Sequence, residues 1–179
     1  MCKFNGFGIN AAALKRQLKE DRKANRPGAG WSEENGSTYY TNGYFILKLK
    51  ELTFQGAAML LGLGYEDTPG DSDKNLERIW ASFNPSDYHP ARVTKWSKEY
   101  LKTGTKKPIT TRVVVNDTDA CLIQQSFLDV FDGGIITMRA RNSGIRIEHG
   151  DTEAYILPVN PTGEEYNVMR AICCNEKED

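Results

Sequence analysis

Residues 37–50 read Ser37-Thr38-Tyr39-Tyr40-Thr41-Asn42-Gly43-Tyr44-Phe45-Ile46-Leu47-Lys48-Leu49-Lys50. Two β-rich runs flank Asn42-Gly43, the dipeptide that most readily adopts the positive φ angles of a tight hairpin turn. In the second run Phe45, Leu47 and Leu49 fall on one face and Ile46, Lys48 and Lys50 on the other, the alternation of a half-buried antiparallel strand. An antiparallel sheet is therefore expected. The aromatics Tyr39, Tyr40 and Tyr44 flank the turn, where alternate side chains point outward, so Tyr40 and Tyr44 are candidates for stacking on a base or filling a partner's pocket.

Upstream of the hairpin, residues 10–24 read as a helix. Asn10 is a suitable cap, Ala11 to Ala13 favour helix, and Arg26-Pro27-Gly28 ends it. Ile9, Ala13, Leu14 and Leu18 form its apolar stripe, while Lys15, Lys19, Arg22 and Arg26 recur along another face. With Arg16 and Lys23 added, six cations stand against Glu20 and Asp21 alone. That concentration marks an anionic partner, since the whole chain, with 23 Lys and Arg against 24 Asp and Glu, is nearly neutral. The candidate binding residues are thus Lys15, Arg16, Lys19, Arg22, Lys23, Arg26, Tyr40 and Tyr44. The Gly- and polar-rich stretch around Trp31 reads as a connection between helix and hairpin.

Downstream, residues 51–108 read as a helical insertion. Phe54 to Leu63 forms a short helix closed by glycines, and an acidic loop from Glu66 to Asp73 follows. Leu76, Ile79, Trp80 and Phe83, then Val93, Trp96, Tyr100 and Leu101, repeat the helical spacing, which places Trp80, Phe83 and Trp96 in the core. Ile109 to Val115 alternates as a strand. Asn116-Asp117 caps a helix carrying Ala120, Ile123, Phe127, Val130 and Phe131, and Asp132-Gly133-Gly134 ends it. Strands are expected at 135–141, 145–148 and 153–159, with a fourth at 166–173 before a charged tail, 175–179.

The order of helix, hairpin with Tyr40-Thr41-Asn42-Gly43-Tyr44, strand, helix and meander resembles one repeat of the bacterial DNA polymerase sliding clamp. Thr41-Asn42-Gly43 followed by Tyr44 is similar to the clamp's Thr-Asp-Gly hairpin. Residues 115–159 resemble its strand, helix and meander, with Phe127, Leu128, Val130 and Phe131 at the leucine-rich helix and Gly150-Asp151-Thr152 at the Gly-Asp-Thr turn. The resemblance implies an α+β, DNA-clamp-like domain, helices on an antiparallel sheet, in two halves, 1–50 and 109–174, around the insertion. It also implies that the first helix faces DNA. Two features depart from the pattern: the insertion itself, and a second helix made acidic by Asp117, Asp119, Asp129 and Asp132. A single small domain of this kind implies a phage or mobile-element accessory that acts on DNA or on a DNA-processing complex, with a ring-forming homo-oligomer as one option.

A rival reading is a phage-type, anti-CRISPR-like inhibitor that blocks a host nuclease or replication factor by direct contact. Between Glu148 and Asp179 eight acids stand against Arg170 and Lys177, a pattern that can imitate phosphate toward a basic groove. Enzymatic chemistry finds no support. His89 and His149 sit near no nucleophile motif, Gly6-Phe7-Gly8 and Gly62-Leu63-Gly64 lack the lysine and third glycine of a phosphate cradle, and the acidic loop lacks EF-hand spacing. The cysteines Cys2, Cys121, Cys173 and Cys174 show no zinc spacing, and Cys121 reads as a small core residue. No catalytic residue, metal or cofactor is expected. With no apolar run long enough to cross a bilayer and no secretory pattern at the start, a cytoplasmic protein without membrane contact is expected.

Overall fold

The structure, a computed structural model, describes residues 7–26, 28–63, 76–101, 108–141 and 143–175. It is mixed α and β, and its sheets are antiparallel, as expected. The larger sheet is built from two three-stranded meanders. The first comprises β1 (Gly30–Glu34), β2 (Ser37–Thr41) and β3 (Phe45–Leu49), and the second β8 (Ile135–Met138), β9 (Ile145–His149) and β10 (Thr152–Ile156). Their last strands join, with Leu49 opposite Thr152 and Phe45 opposite Ile156, giving the order β1-β2-β3-β10-β9-β8 and a two-residue strand β4 (His89–Pro90) at the far edge.

Asn-Gly sets the first meander twice. At the β1–β2 turn Asn35 and Gly36 both take positive φ, 48° and 71°, as a two-residue primed turn requires. The residues around Trp31 are therefore a strand rather than a connection. At the β2–β3 turn only Gly43 has positive φ, 83°. Asn42 does not share the strained geometry expected of it. Its side-chain Oδ1 instead accepts from the backbone N–H groups of Tyr44, at 2.9 Å, and Phe45, at 3.0 Å.

The inner face of this sheet carries Tyr40, Phe45, Leu47, Ile145, Ile147 and Ala154, and three helices cover it. These are α1 (Ala11–Lys23) through Leu14 and Leu18, α2 (Phe54–Leu61) through Ala57 and Leu61, and the single turn α4 (Gln125–Leu128) through Phe127. The outer face is covered as well. Tyr39, Ile46 and Tyr155 meet Leu76 and Trp80 of α3 (Leu76–Ala81), and Phe83 stacks on Tyr155 at 4.1 Å.

A second sheet, β5 (Arg92–Leu101), β6 (Pro108–Val115) and β7 (Ala120–Gln124), completes the fold. Val114, Cys121 and Ile123 face the main core. Val113, Val115, Ala120 and Leu122 face the other way, toward Val159 and toward Met169 of α5 (Gly163–Asn175). Cys121 is a core residue, with its thiol pushed up from the ordinary range by burial.

Three further elements differ from their expected type, each for a physical reason. Arg92–Leu101 is a strand, because Val93, Thr94, Trp96 and Tyr100 are β-formers and pairing with β6 outweighs their helical spacing. Trp96 is consequently 46% exposed rather than core. Asn116 does not cap a helix: its Oδ1 accepts from the N–H groups of Thr118 and Asp119 and makes the β6–β7 turn. The following Ala120–Ile123 run is a fully buried strand, a pattern periodicity alone cannot separate from helix. Residues 166–173 belong to a helix whose start is a capping box, with Thr162 N–H donating to the Glu165 carboxylate at 2.9 Å and Glu165 N–H to the Thr162 hydroxyl at 3.4 Å. The span 51–108 is thus only partly helical among the described residues, and it contributes strands to both sheets. The acidic loop 66–73 lies outside the described residues, as do 176–179 of the tail.

Burial pushes the phenols of Tyr39 and Tyr155 up to about 12 from an ordinary value of 10. A raised folded-state pKa means stability that is complete below pH 10 and lost as pH rises through 12. Urea midpoints measured from neutral pH upward should therefore fall across that interval. In the Tyr39→Phe, Tyr155→Phe double variant the fall should be shallower, and an equal decline in both proteins would refute this linkage.

Candidate nucleic-acid interface

The helix α1 starts where Asn10 Oδ1 accepts from Ala13 N–H at 3.1 Å. Its buried stripe is Ala13, Leu14, Gln17, Leu18 and Asp21. Two of these are polar, and the sequence pattern had not placed them inside. Asp21 is 2% exposed, so its charge must be matched within the protein. Gln17 Nε2 donates to Oδ1 at 2.9 Å, while Tyr40 hydroxyl and Asn42 Nδ2 donate to Oδ2 at 2.8 and 3.0 Å. The Arg26 guanidinium completes the set, 3.2 Å from Oδ1.

This carboxylate sorts the candidate residues. Tyr40, 3% exposed, is a structural donor to Asp21 and cannot stack on a partner. Arg26 leaves the basic stripe to pair with Asp21, and it also stands over the Tyr44 ring, 5.1 Å from its centroid. Tyr44 remains 47% exposed at the hairpin tip. Lys15, Arg16, Lys19, Arg22 and Lys23 are exposed, with Glu20 the one exposed acid between them on the helix. Because Asp21 and Arg26 match each other, this face is as cationic as the raw count implied, although different residues produce it. Lys15 has a second role. Its ammonium lies where a Cβ on Gly62 would point, 2.9 Å away, at the C-terminal cap of α2. A cation there complements the negative end of that helix.

Beside α1 runs a cleft of about 870 Å³, walled by α1, by the hairpin tip at Asn42 and Tyr44, and by Thr110, Gln124, Gln125 and Ser126 of the second sheet and α4. A hydrogen-bonded chain forms its floor. Gln124 Nε2 donates to Ser126 Oγ at 2.7 Å, and Ser126 Oγ donates to Gln17 Oε1 at 3.1 Å, which ties the chain to Asp21. A second depression of about 640 Å³ continues from it and shares Ala13, Arg16, Gln125 and Asp129. Lys95 and Arg112 line that end. Arg112 is held there, with Nε donating to Gln125 Oε1 at 2.6 Å and a terminal nitrogen donating to Lys95 carbonyl at 2.8 Å.

The acidic side chains are distributed differently. Glu153 pairs with Lys50 at 2.6 Å and Arg146 at 3.0 Å, Glu148 pairs with Arg146 at 2.8 Å, and Glu165 pairs with Lys98. Asp119 accepts from the Tyr166 hydroxyl. The acidic second helix expected across 117–132 is instead a turn, a strand and one helical turn, with Asp129 the member that reaches the cleft. His89 is exposed in β4. His149 is packed against Gly8, where a Cβ would lie 2.3 Å from Nδ1. Among the described residues no three His, Cys, Asp or Glu side chains gather as metal ligands.

Removing the Asp21 carboxylate strands three donors and a guanidinium. Asp21→Ala should lower stability by about 3–5 kcal/mol, the range for breaking a buried charged pair. Chemical denaturation measures this, and a loss below about 1 kcal/mol would show that the carboxylate does not tie the helix to the hairpin.

Comparison with known proteins adds no relative to this geometry: no family model matches the chain, and no curated protein or solved structure matches it.

Proposed function

We propose that this protein acts by binding, with the outward face of α1 as a phosphate-contacting surface, as an accessory to DNA or to a DNA-processing complex. The observation that carries the reading is the segregation of charge on α1. Lys15, Arg16, Lys19, Arg22 and Lys23 face solvent with Glu20 alone among them, while Asp21 is turned inward and matched by Arg26. Cations so grouped release counterions when they meet a phosphate backbone, which is the main source of sequence-independent affinity.

A clamp-like ancestry is part of the same proposal. It is supported by the repetition of helix followed by three-stranded meander, α1 with β1-β2-β3 and α4 with β8-β9-β10, and by both helices lying over the inner face of the joined sheet. The one-turn α4, the β5–β6 hairpin and α5 are additions or reductions relative to that plan. The rival reading, an inhibitor that imitates phosphate, draws on the acids after residue 148. Glu148, Glu153 and Glu165 are engaged in ion pairs, which reduces the negative surface available for mimicry.

The Lys19→Glu, Lys23→Glu double variant tests the proposal. Wild-type protein should bind DNA with an affinity that falls steeply with salt. The double variant should bind far more weakly, and the slope of log affinity against log salt should shrink by roughly 2, near 0.9 per lost phosphate contact. Equal binding by both proteins at two salt concentrations would discard the phosphate surface.

A further inference from the structure

The channel beside α1 carries more information than a charged face does. Its two depressions, about 870 and 640 Å³, meet at Arg16 and Gln125, so together they form an open trough along the helix rather than a closed pocket for a compact molecule. The floor is neutral and hydrogen-bonding. Gln124 and Ser126 are fixed by the chain that leads through Gln17 to Asp21, and Gln125 is fixed by Arg112. Arg16, Lys95 and Arg112 line it as cations against Glu20 and Asp129. At one end stands Tyr44, an exposed aromatic on a two-residue turn. Asn42 clamps that turn, bonded on one side to Asp21 and on the other to the Tyr44 and Phe45 N–H groups, and Arg26 packs on the ring.

An extended polyanion with flat, hydrogen-bonding side groups matches these parts. We propose that the trough binds single-stranded nucleic acid in preference to duplex, with a base stacked on Tyr44, neighbouring base edges over Gln124, Gln125 and Ser126, and the backbone along Arg16 toward Lys95 and Arg112. Paired, stacked bases cannot reach a side-wall aromatic, whereas unpaired bases stack on such platforms with little sequence preference. An extended peptide fits less well, because the floor offers amides and a hydroxyl where a peptide's apolar anchors would need pockets. The proposal rests on the phosphate-binding reading of α1 and narrows it to one form of nucleic acid.

Fluorescence anisotropy with a labelled single-stranded oligonucleotide of about 15 nucleotides, and with the duplex of the same sequence, separates the two readings. The single strand should bind more tightly. Tyr44→Ala should weaken single-strand binding about tenfold or more and leave duplex binding unchanged, while Tyr44→Phe should retain the wild-type affinity. Equal affinity for both forms together with a silent Tyr44→Ala overturns the trough proposal, and the Lys19→Glu, Lys23→Glu variant then still reports on the phosphate surface. Binding of neither form overturns both, as does binding confined to an extended peptide. A measurement on unaltered protein guards against a folding defect: irradiation with an iodouracil-substituted single strand should place the crosslink on Tyr44, and an adduct mapped only outside the trough counts against the proposal.

Discussion

A buried carboxylate is tolerated only when its surroundings are arranged around it, and in this protein that carboxylate is Asp21. Its partners come from three places in the chain: Gln17 one turn earlier in α1, Arg26 just past the end of the helix, and Tyr40 with Asn42 from the following hairpin. Once Asp21 points inward, the 100° step between helical residues forces the rest. Leu14 and Leu18 join it against the sheet, and Lys19, Arg22 and Lys23 have to face outward. The same anchor holds Asn42, and through Asn42 the backbone that presents Tyr44. The charge pattern on the surface is therefore a consequence of one interior bond set.

The sheet makes that arrangement stiff. Packing on both faces of β3, by α1 and α4 on one side and by the Tyr39, Trp80, Phe83 and Tyr155 group on the other, leaves the hairpin little freedom to shear. The second sheet then supplies the opposite wall of the trough through Thr110 and Gln124, continued by Gln125 at the start of α4. Its own outer face is sealed by α5, so the trough is framed by two sheets that share one apolar core through Val114, Cys121 and Ile123.

Much of this was legible in the residues. The extent of α1, a short helix beginning at Phe54 and the three strands of the second meander follow from caps, glycines and alternation, although the helix expected to reach Leu63 stops at Leu61, and the outward cations follow from helical spacing. What the sequence hid were partnerships between distant residues. Nothing near Tyr40 announces that its hydroxyl is claimed by a residue nineteen positions earlier. Nor does the β5 segment announce that pairing with β6 will override the helical recurrence of Val93, Trp96 and Tyr100. Other signals are local. Asn35-Gly36 repeats the Asn-Gly turn signal of Asn42-Gly43, although the two turns take different geometries, and Thr162 with Glu165 is a capping box that marks a helix where a fourth strand is expected.

The seam between β3 and β10 sets an order on the making of the molecule. Leu49 lies opposite Thr152, so the central hydrogen-bond ladder closes only after the intervening hundred or so residues exist, and loop closure over that distance is slow. During synthesis the first meander leaves the ribosome with the hydrogen-bonding margin of β3 open, and in the finished fold that margin is met only by β10 of the last meander. The strand at the heart of the finished sheet is, for most of its biosynthesis, an edge in need of shelter.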